Sequence, residues 1–194
     1  MLTEKLKTYN IILGSASPRR KQLLTELGID FTIKTTRKEE HYPEQLDGSE
    51  IAKFLAKQKA DFILEELSGN FLLITIDTIV VKKNEILHKP KDKNDAKRIL
   101  KNLSGKSHKV ISGVCIKSEK KEVVFSSETE VTFKELSEDE IIYYIENFKP
   151  FDKAGSYGIQ EWIGYIGIKR INGSYNNVVG FPTAEFYQKL KLFI

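Results

Sequence analysis

Short unbroken apolar runs alternate along the chain with segments whose apolar positions recur every three or four residues. Ile11-Ile12-Leu13-Gly14 reads as a buried strand, and Ser15-Ala16-Ser17-Pro18 opens a helix carrying Leu23, Leu24 and Leu27, with Gly28 as its stop. Phe31 and Ile33 alternate with polar neighbours as a second strand does, and the polar stretch from Arg37 to Gly48 reads as a loop. A long helix is expected from about Ser49 to Leu67, with Ile51, Phe54, Leu55, Phe62 and Ile63 as its apolar stripe and Lys57 or Lys59 on its polar face. The continuous run Phe71 to Ile76 suits a central strand buried on both faces, with Asp77 at its carboxyl end. Ile79-Val80-Val81 and Glu85-Ile86-Leu87 flank Lys83-Asn84 as a hairpin would, and Asp92 to Leu103 forms a helix ended by Ser104-Gly105. Val110 to Ile116 and the alternating Val123, Phe125, Thr129, Val131 and Phe133 read as longer, antiparallel strands. Ser137-Glu138-Asp139-Glu140 is a capping box ahead of a helix through Ile141, Tyr144, Ile145 and Phe148. Trp162, Ile163, Tyr165 and Ile166 interleave as strand core, and Gly173 to Asn177 reads as a turn or loop. Strands mixed with helices throughout imply α/β architecture.

The chain's 194 residues suffice for one sizeable domain or two small lobes sharing a core. No repeat or linker divides it; the soft boundary is a change from helix-rich to strand-rich sequence near Lys106. With 40% hydrophobic and 30% charged residues the composition is that of a folded globular protein. A net charge of +4, with acids and bases interspersed, is too weak to argue by itself for a phosphate-backbone binder, ranks a nucleic-acid-binding module last among the competing expectations and leaves small anionic ligands open. One cysteine, Cys115, precludes an internal disulfide, and the Cys/His count precludes a structural zinc site, so a reducing cytoplasm is expected. Ile11 to Leu13 is too short for a signal peptide or a membrane span.

Ser15-Ala-Ser-Pro-Arg19-Arg20 puts hydroxyls and guanidinium groups around a helix start, where free N–H groups and the helix dipole favour an anion such as a triphosphate. The same stretch also suits a plain helix start, with Ser17 as cap and both arginines solvated. Asp77, ending a strand, could bind Mg²⁺ or deprotonate water, or simply cap a turn. Glu40 is either a second hard oxygen ligand or part of the solvated run Lys38-Glu39-Glu40-His41. Lys59 and Lys89 could neutralise phosphate oxygens, though surface lysines are common. In Asp152-Lys153-Ala154-Gly155-Ser156-Tyr157-Gly158-Ile159-Gln160, glycines permit close backbone approach and charged and amide groups could orient a ligand; a structural loop is the alternative. His41 and His108 lack metal-ligand spacing, and no Ser-His-Asp or Cys-His arrangement is evident.

Taken in order, Ser15 to Arg20, Lys59-Ala60, Asp77-Thr78, Lys89-Pro90, Leu103-Ser-Gly105 with His108, Asp152 to Gly155 with Gln160, and Gly173-Ser-Tyr with Val179-Gly180 resemble the Maf family of nucleotide pyrophosphatases over nearly the whole chain. The resemblance implies a single Maf-like, inosine triphosphatase-like domain over residues 1–194. Its fold would be an elongated mixed sheet flanked by helices, with two lobes and a cleft between them. It implies a cytoplasmic, often homodimeric enzyme that uses a divalent metal, Mg²⁺ in the first place and Mn²⁺ or Co²⁺ as alternatives. The enzyme would cleave a nucleoside triphosphate between its α and β phosphates. Carried over by position, Asp77 matches the catalytic acid residue, Glu40 the loop glutamate and Lys59 and Lys89 the two site lysines, while Ser15, Arg19 and Arg20 match the phosphate-binding segment. Glu40 and Asp77 would hold the metal. Arg19, Thr78 and Gln160 stand where the branch acting on dTTP and UTP has these residues, whereas a branch acting on 7-methyl-GTP has an aromatic, a glutamine and a glutamate. His88, Asn176 and Phe181 depart from the family pattern. The family is also linked to inhibition of septum formation, so a nucleotide-binding regulator of cell division is the competing expectation.

Overall fold

The computed structural model describes residues 2–83 and 85–194, with the side chain of Thr3 left aside; Asn84 of the expected hairpin turn lies outside the described residues. In chain order the elements are α1 (Leu2–Leu6), β1 (Asn10–Leu13), α2 (Pro18–Glu26), β2 (Thr32–Ile33), α3 (Gly48–Leu64), β3 (Phe71–Lys82), β4 (Glu85–Leu87), α4 (Lys93–Leu103), β5 (Ser107–Lys117), β6 (Glu122–Phe133), α5 (Glu138–Phe148), α6 (Trp162–Gly167), β7 (Ile168–Asn172), α7 (Tyr175–Val179) and α8 (Thr183–Phe193). Among the described residues they build a mixed seven-stranded sheet in the order β2-β1-β3-β5-β6-β7, with β4 paired to β3. β1 runs parallel to both β2 and β3, and β4 and β7 run antiparallel to β3 and β6. No helix among the described residues is long and apolar enough to cross a membrane.

The chain separates into two units, one made of 1–77, 112–127 and 180–194, the other of 78–111 and 128–179. The texture change near Lys106 falls within the second unit, and the passages between units lie after Asp77, Ile111, Ser127 and Val179. β3, β5 and β6 each contribute residues to both.

In the first unit β3 is buried on both faces, as its unbroken apolar run requires. Leu72, Ile74 and Ile76 join Ile11, Leu13 and Leu24 in a cluster with Phe181, Phe186, Leu190 and Phe193 from the C-terminal segment. The alternate residues Phe71 and Leu73 face the other way, with Ile12 and Cys115, against Ala56, Ala60 and Ile63 of α3. Small residues let α3 lie close on the sheet. A methyl added at Gly113 of β5 would stand 1.9 Å from the Ala52 carbonyl oxygen, and Thr75 Oγ1 donates to the Ala56 carbonyl at 2.6 Å. Asp47 and Glu50 close a capping box at the start of α3, which fixes where the helix begins.

The second unit is built around Val80, Leu87, Val110, Val131 and Phe133, covered by Ile99, Leu100 and Leu103 of α4 and by Ile141, Tyr144 and Ile145 of α5. Asp92 caps α4, and the expected Ser137–Glu140 capping box is present at the start of α5.

Three sequence expectations are corrected. β3 does not end at Ile76; it continues to Lys82 because its second half pairs with β4, so Asp77 sits in mid-strand. Trp162 to Ile166 is helix α6 and not a strand: Gly164 in its middle presses on the Ile159 carbonyl oxygen, which a Cβ there would approach to 1.8 Å, and Tyr165 is 79% exposed instead of core. Tyr175 to Asn177 belongs to the short helix α7, with the Asn177 N–H donating to Ser174 Oγ at 3.3 Å.

Candidate active site

The alternation of β3 decides where Asp77 points. Residues 71, 73 and 75 face α3, so Asp77 does as well, and it meets Lys59, one residue before Ala60 of the buried helix stripe. The Lys59 ammonium donates to Asp77 Oδ1 and lies 3.2 Å from Glu40 Oε2, so one cation bridges two carboxylates. The side chains of Lys59 and Asp77 are 16% and 15% exposed, which keeps water from screening their attraction. Lys57 lies elsewhere on the helix, paired with Glu122 and Asp61, so of the two lysines on the expected polar face only Lys59 reaches the carboxylates.

Arg20 completes this group from the other side of the strand. Its Nη1 donates to the Ile76 carbonyl at 2.8 Å and to Ser15 Oγ at 3.1 Å, and its Nε donates to the Gly180 carbonyl at 3.0 Å. The guanidinium therefore holds the backbone immediately before Asp77. Burial pushes its pKa down, Asp77 opposes that, Arg19 adds to it and Glu40 opposes it again, which places both arginines and both carboxylates in one electrostatic neighbourhood. Ser17 takes the N-cap position of α2 with Pro18 at the start, but its hydroxyl makes no capping bond; Ser15 Oγ instead accepts the Ser17 N–H at 3.3 Å.

Thr78, Lys89 and Gln160 belong to the second unit. Thr78 follows Asp77 along β3. Lys89 is exposed and lines a cleft of about 280 Å³ with Glu85, His88, Lys91, Asp95 and Arg98. The Gly155 N–H reaches the His88 carbonyl at 3.4 Å, and Gly155, at φ 72°, packs against Val80 with no room to spare: a Cβ would lie 3.0 Å from Val80 Cγ2.

Gln160 is the third residue of a turn closed by the Glu161 N–H on the Gly158 carbonyl at 3.0 Å. Its Oε1 is buried and accepts no hydrogen bond from the described residues. A buried amide oxygen without a donor is costly in the free protein and suits a ligand that brings one. The sequence gives no local sign of what steadies this turn. Tyr144, on α5, donates its hydroxyl to Glu161 Oε2 and accepts the Gly158 N–H at 3.0 Å, and Lys153 Nζ lies 3.0 Å from Glu161 Oε1.

Among the described residues no group of three or more His, Cys, Asp or Glu is placed to hold a metal ion. Glu40 and Asp77 nevertheless fit a hard dication that keeps several waters and is bound by one or two carboxylates together with substrate phosphates, as Mg²⁺ is.

The Maf-like protein family matches residues 10–193. A dTTP/UTP pyrophosphatase from Flavobacterium johnsoniae is 49% identical over 190 residues, covering 98% of this chain and 98% of its own. A dTTP/UTP pyrophosphatase from Christiangramia forsetii is 50% identical over 191 residues, covering 98% and 97%. One from Bacteroides fragilis is 48% identical over 187 residues, covering 96% and 97%.

Proposed function

The chain belongs to the Maf-like protein family, and on that footing we propose that it is a nucleoside triphosphate pyrophosphatase acting on dTTP and UTP, releasing the monophosphate and pyrophosphate. The observation that carries the reaction is the Lys59 ammonium held between Glu40 and Asp77, beside a guanidinium that fixes the strand carrying Asp77. Attack of water on a phosphorus already surrounded by anionic oxygens needs charge neutralisation and alignment more than a covalent nucleophile. Asp77 orients the water and takes its proton as the bond to the leaving pyrophosphate breaks. Lys59, Lys89 and Arg19 balance the negative charge of the phosphates, and Ser15 with Arg20 shapes the segment that receives them.

Mg²⁺, with Mn²⁺ or Co²⁺ as substitutes, would be held by Glu40 and Asp77, and when bound it supplies further neutralisation of phosphate charge. The base preference rests on Gln160 and Thr78. The buried Gln160 Oε1 is an acceptor awaiting a donor, which the N3–H of uracil or thymine provides; cytosine has no hydrogen at N3 and would set acceptor against acceptor. A homodimer in the cytoplasm belongs to the same proposal, supported by the family resemblance; light scattering on the eluted protein reads the first.

The test is pyrophosphate release across the common nucleoside triphosphates, with and without Mg²⁺, for the parent protein, Asp77→Asn and Gln160→Glu. Asp77→Asn is expected to lower kcat by about 10²- to 10⁴-fold, the usual contribution of a general base. Gln160→Glu is expected to lose the preference for dTTP and UTP. Unchanged turnover in the first variant, or an unchanged substrate profile in the second, refutes the corresponding assignment.

A further inference from the structure

A carboxamide can discriminate between base edges only if the backbone that carries it stays in place; a shift of about an ångström is enough to cost a reacting or reading group most of its effect. Gln160 sits on a tight turn of four residues, Gly158 to Glu161, and such turns in loops are held by little more than one backbone hydrogen bond unless something else anchors them. Here both ends of the turn are gripped by one side chain. The Tyr144 hydroxyl accepts the Gly158 N–H at 3.0 Å and donates to the Glu161 carboxylate, so a single oxygen spans the residues on either side of Ile159 and Gln160.

Tyr144 is itself tightly packed. It is fully buried in α5, its ring is stacked on Phe148 with centroids 5.2 Å apart, and its helix starts at a closed capping box. Glu161 is steadied from a second direction by Lys153, itself only 8% exposed. The turn has no slack elsewhere. A Cβ on Gly158 would come within 2.7 Å of the Glu161 carboxylate carbon, and Gly164 of α6 lies so close to the Ile159 carbonyl that only a hydrogen fits between them. Burial, reinforced by the neighbouring Glu161 carboxylate, raises the Tyr144 pKa, so the phenol keeps the proton it donates.

We propose that Tyr144, acting through Gly158 and Glu161, is a positioning residue that sets the nucleobase selectivity exerted by Gln160. The assignment rests on the reading of Gln160 as the base-selecting residue. It touches neither base nor phosphate; its role is to keep the Gln160 amide where it meets the N3 edge of the base, and its loss acts on discrimination between substrates before it acts on turnover.

The experiment compares kcat/KM for UTP and for CTP in the parent protein, Tyr144→Phe, Glu161→Gln, Gln160→Ala and the double variant Tyr144→Phe/Gln160→Ala. Tyr144→Phe keeps the ring and its packing and removes only the oxygen; Glu161→Gln loosens the same clamp from the other side and stands in if the first variant does not fold. The UTP/CTP ratio is expected to fall about tenfold in Tyr144→Phe or Glu161→Gln, the effect of losing roughly one charge-assisted hydrogen bond. It is expected to fall at least as far in Gln160→Ala, and no further in the double variant than in Gln160→Ala alone. If Gln160→Ala collapses the ratio while the folded Tyr144 and Glu161 variants keep it, or slow both substrates equally, the positioning role is overturned and the reading of Gln160 stands. If Gln160→Ala leaves the ratio unchanged, that reading falls and the positioning role falls with it.

Discussion

Replacing Gly113 by alanine should damage both the fold and the chemistry, because it strikes a place where sheet backbone and helix backbone meet without a side chain between them. The new methyl would stand 1.9 Å from the Ala52 carbonyl oxygen, 2.2 Å from its carbon and 2.6 Å from the Lys53 nitrogen. All three are backbone atoms, so no rotamer can relieve the clash, and α3 must retreat by about 1.5 Å to restore an ordinary contact. The buried stripe of Ala52, Ala56, Ala60 and Ile63 moves with it, as does the hydrogen bond from Thr75 to the Ala56 carbonyl. Overpacking of this kind costs about 3 kcal/mol, at the upper end of what an inserted methylene usually costs. Lys59 lies about two helical turns beyond Ala52, so the same displacement carries its ammonium away from Asp77, and a misplacement of about 1 Å is worth roughly 10²-fold in rate. Urea unfolding measures the first effect and pyrophosphate release from dTTP the second. Gly28→Ala is the control: a Cβ there meets nothing within 4 Å, and the cost is limited to about 1 kcal/mol for its φ of +70°. A Gly113→Ala protein as stable as Gly28→Ala and as active as the parent would show that the close approach of β5 to α3 does not position Lys59.

Stability should also depend on pH through His108, which is 3% exposed, bonded at Nε2 to the Tyr157 hydroxyl at 2.7 Å, and pushed down to about 4 by burial and then by Lys82. The unfolded chain takes up this proton near pH 6.5 while the folded one waits until about 4, so stability contributed by neutral His108 is full above 6.5 and is lost on acidification toward 4, by about 3 kcal/mol. Denaturant titrations of the parent and of His108→Phe over that range should diverge by this amount, and parallel pH profiles would contradict it. Ser137→Ala removes the cap whose Oγ accepts the Glu140 N–H at 3.2 Å and should lower stability by about 1 kcal/mol in the same assay, with activity retained. Lys59→Met leaves Glu40 and Asp77 without their shared cation and should reduce kcat/KM for dTTP by at least about 10²-fold; a rate near that of the parent would remove Lys59 from the proposed machinery.

Local pattern was enough to locate β1, the first half of β3, the helix carrying Lys59 and the capping box at Ser137, since each depends on residues close together in the chain. It failed where contacts outside the local pattern decided the outcome. The polar pair Asp77-Thr78 hid that the run Phe71 to Ile76 and the first strand of the expected hairpin, Ile79 to Val81, are one strand, while the pairing of that strand with β4 was legible. The alternation of Trp162, Ile163, Tyr165 and Ile166 mimics a strand, and only the contact of Gly164 with the Ile159 carbonyl shows why the backbone coils there. Arg20 was legible as a cation near a helix start, but its bonds to the carbonyls of Ile76 and Gly180 connect residues far apart in sequence. Tyr144 carried no signal at all beyond its place on an apolar helix stripe, and its hydroxyl gains meaning only from the turn at Gly158.

The four crossings of the chain between its two units fix an order of assembly. Every residue of the second unit has been synthesised once Val179 leaves the ribosome, whereas the first still lacks Phe181, Phe186, Leu190 and Phe193, which pack with Leu13, Leu24 and Ile74 laid down at the outset. The half that bears Asp77 must therefore wait for its last helix, and neither half can be cut out as one uninterrupted stretch of gene. Joining segments so remote favours slow folding, and shortening the C-terminal segment should leave nascent protein with an open apolar flank for chaperones and proteases to find.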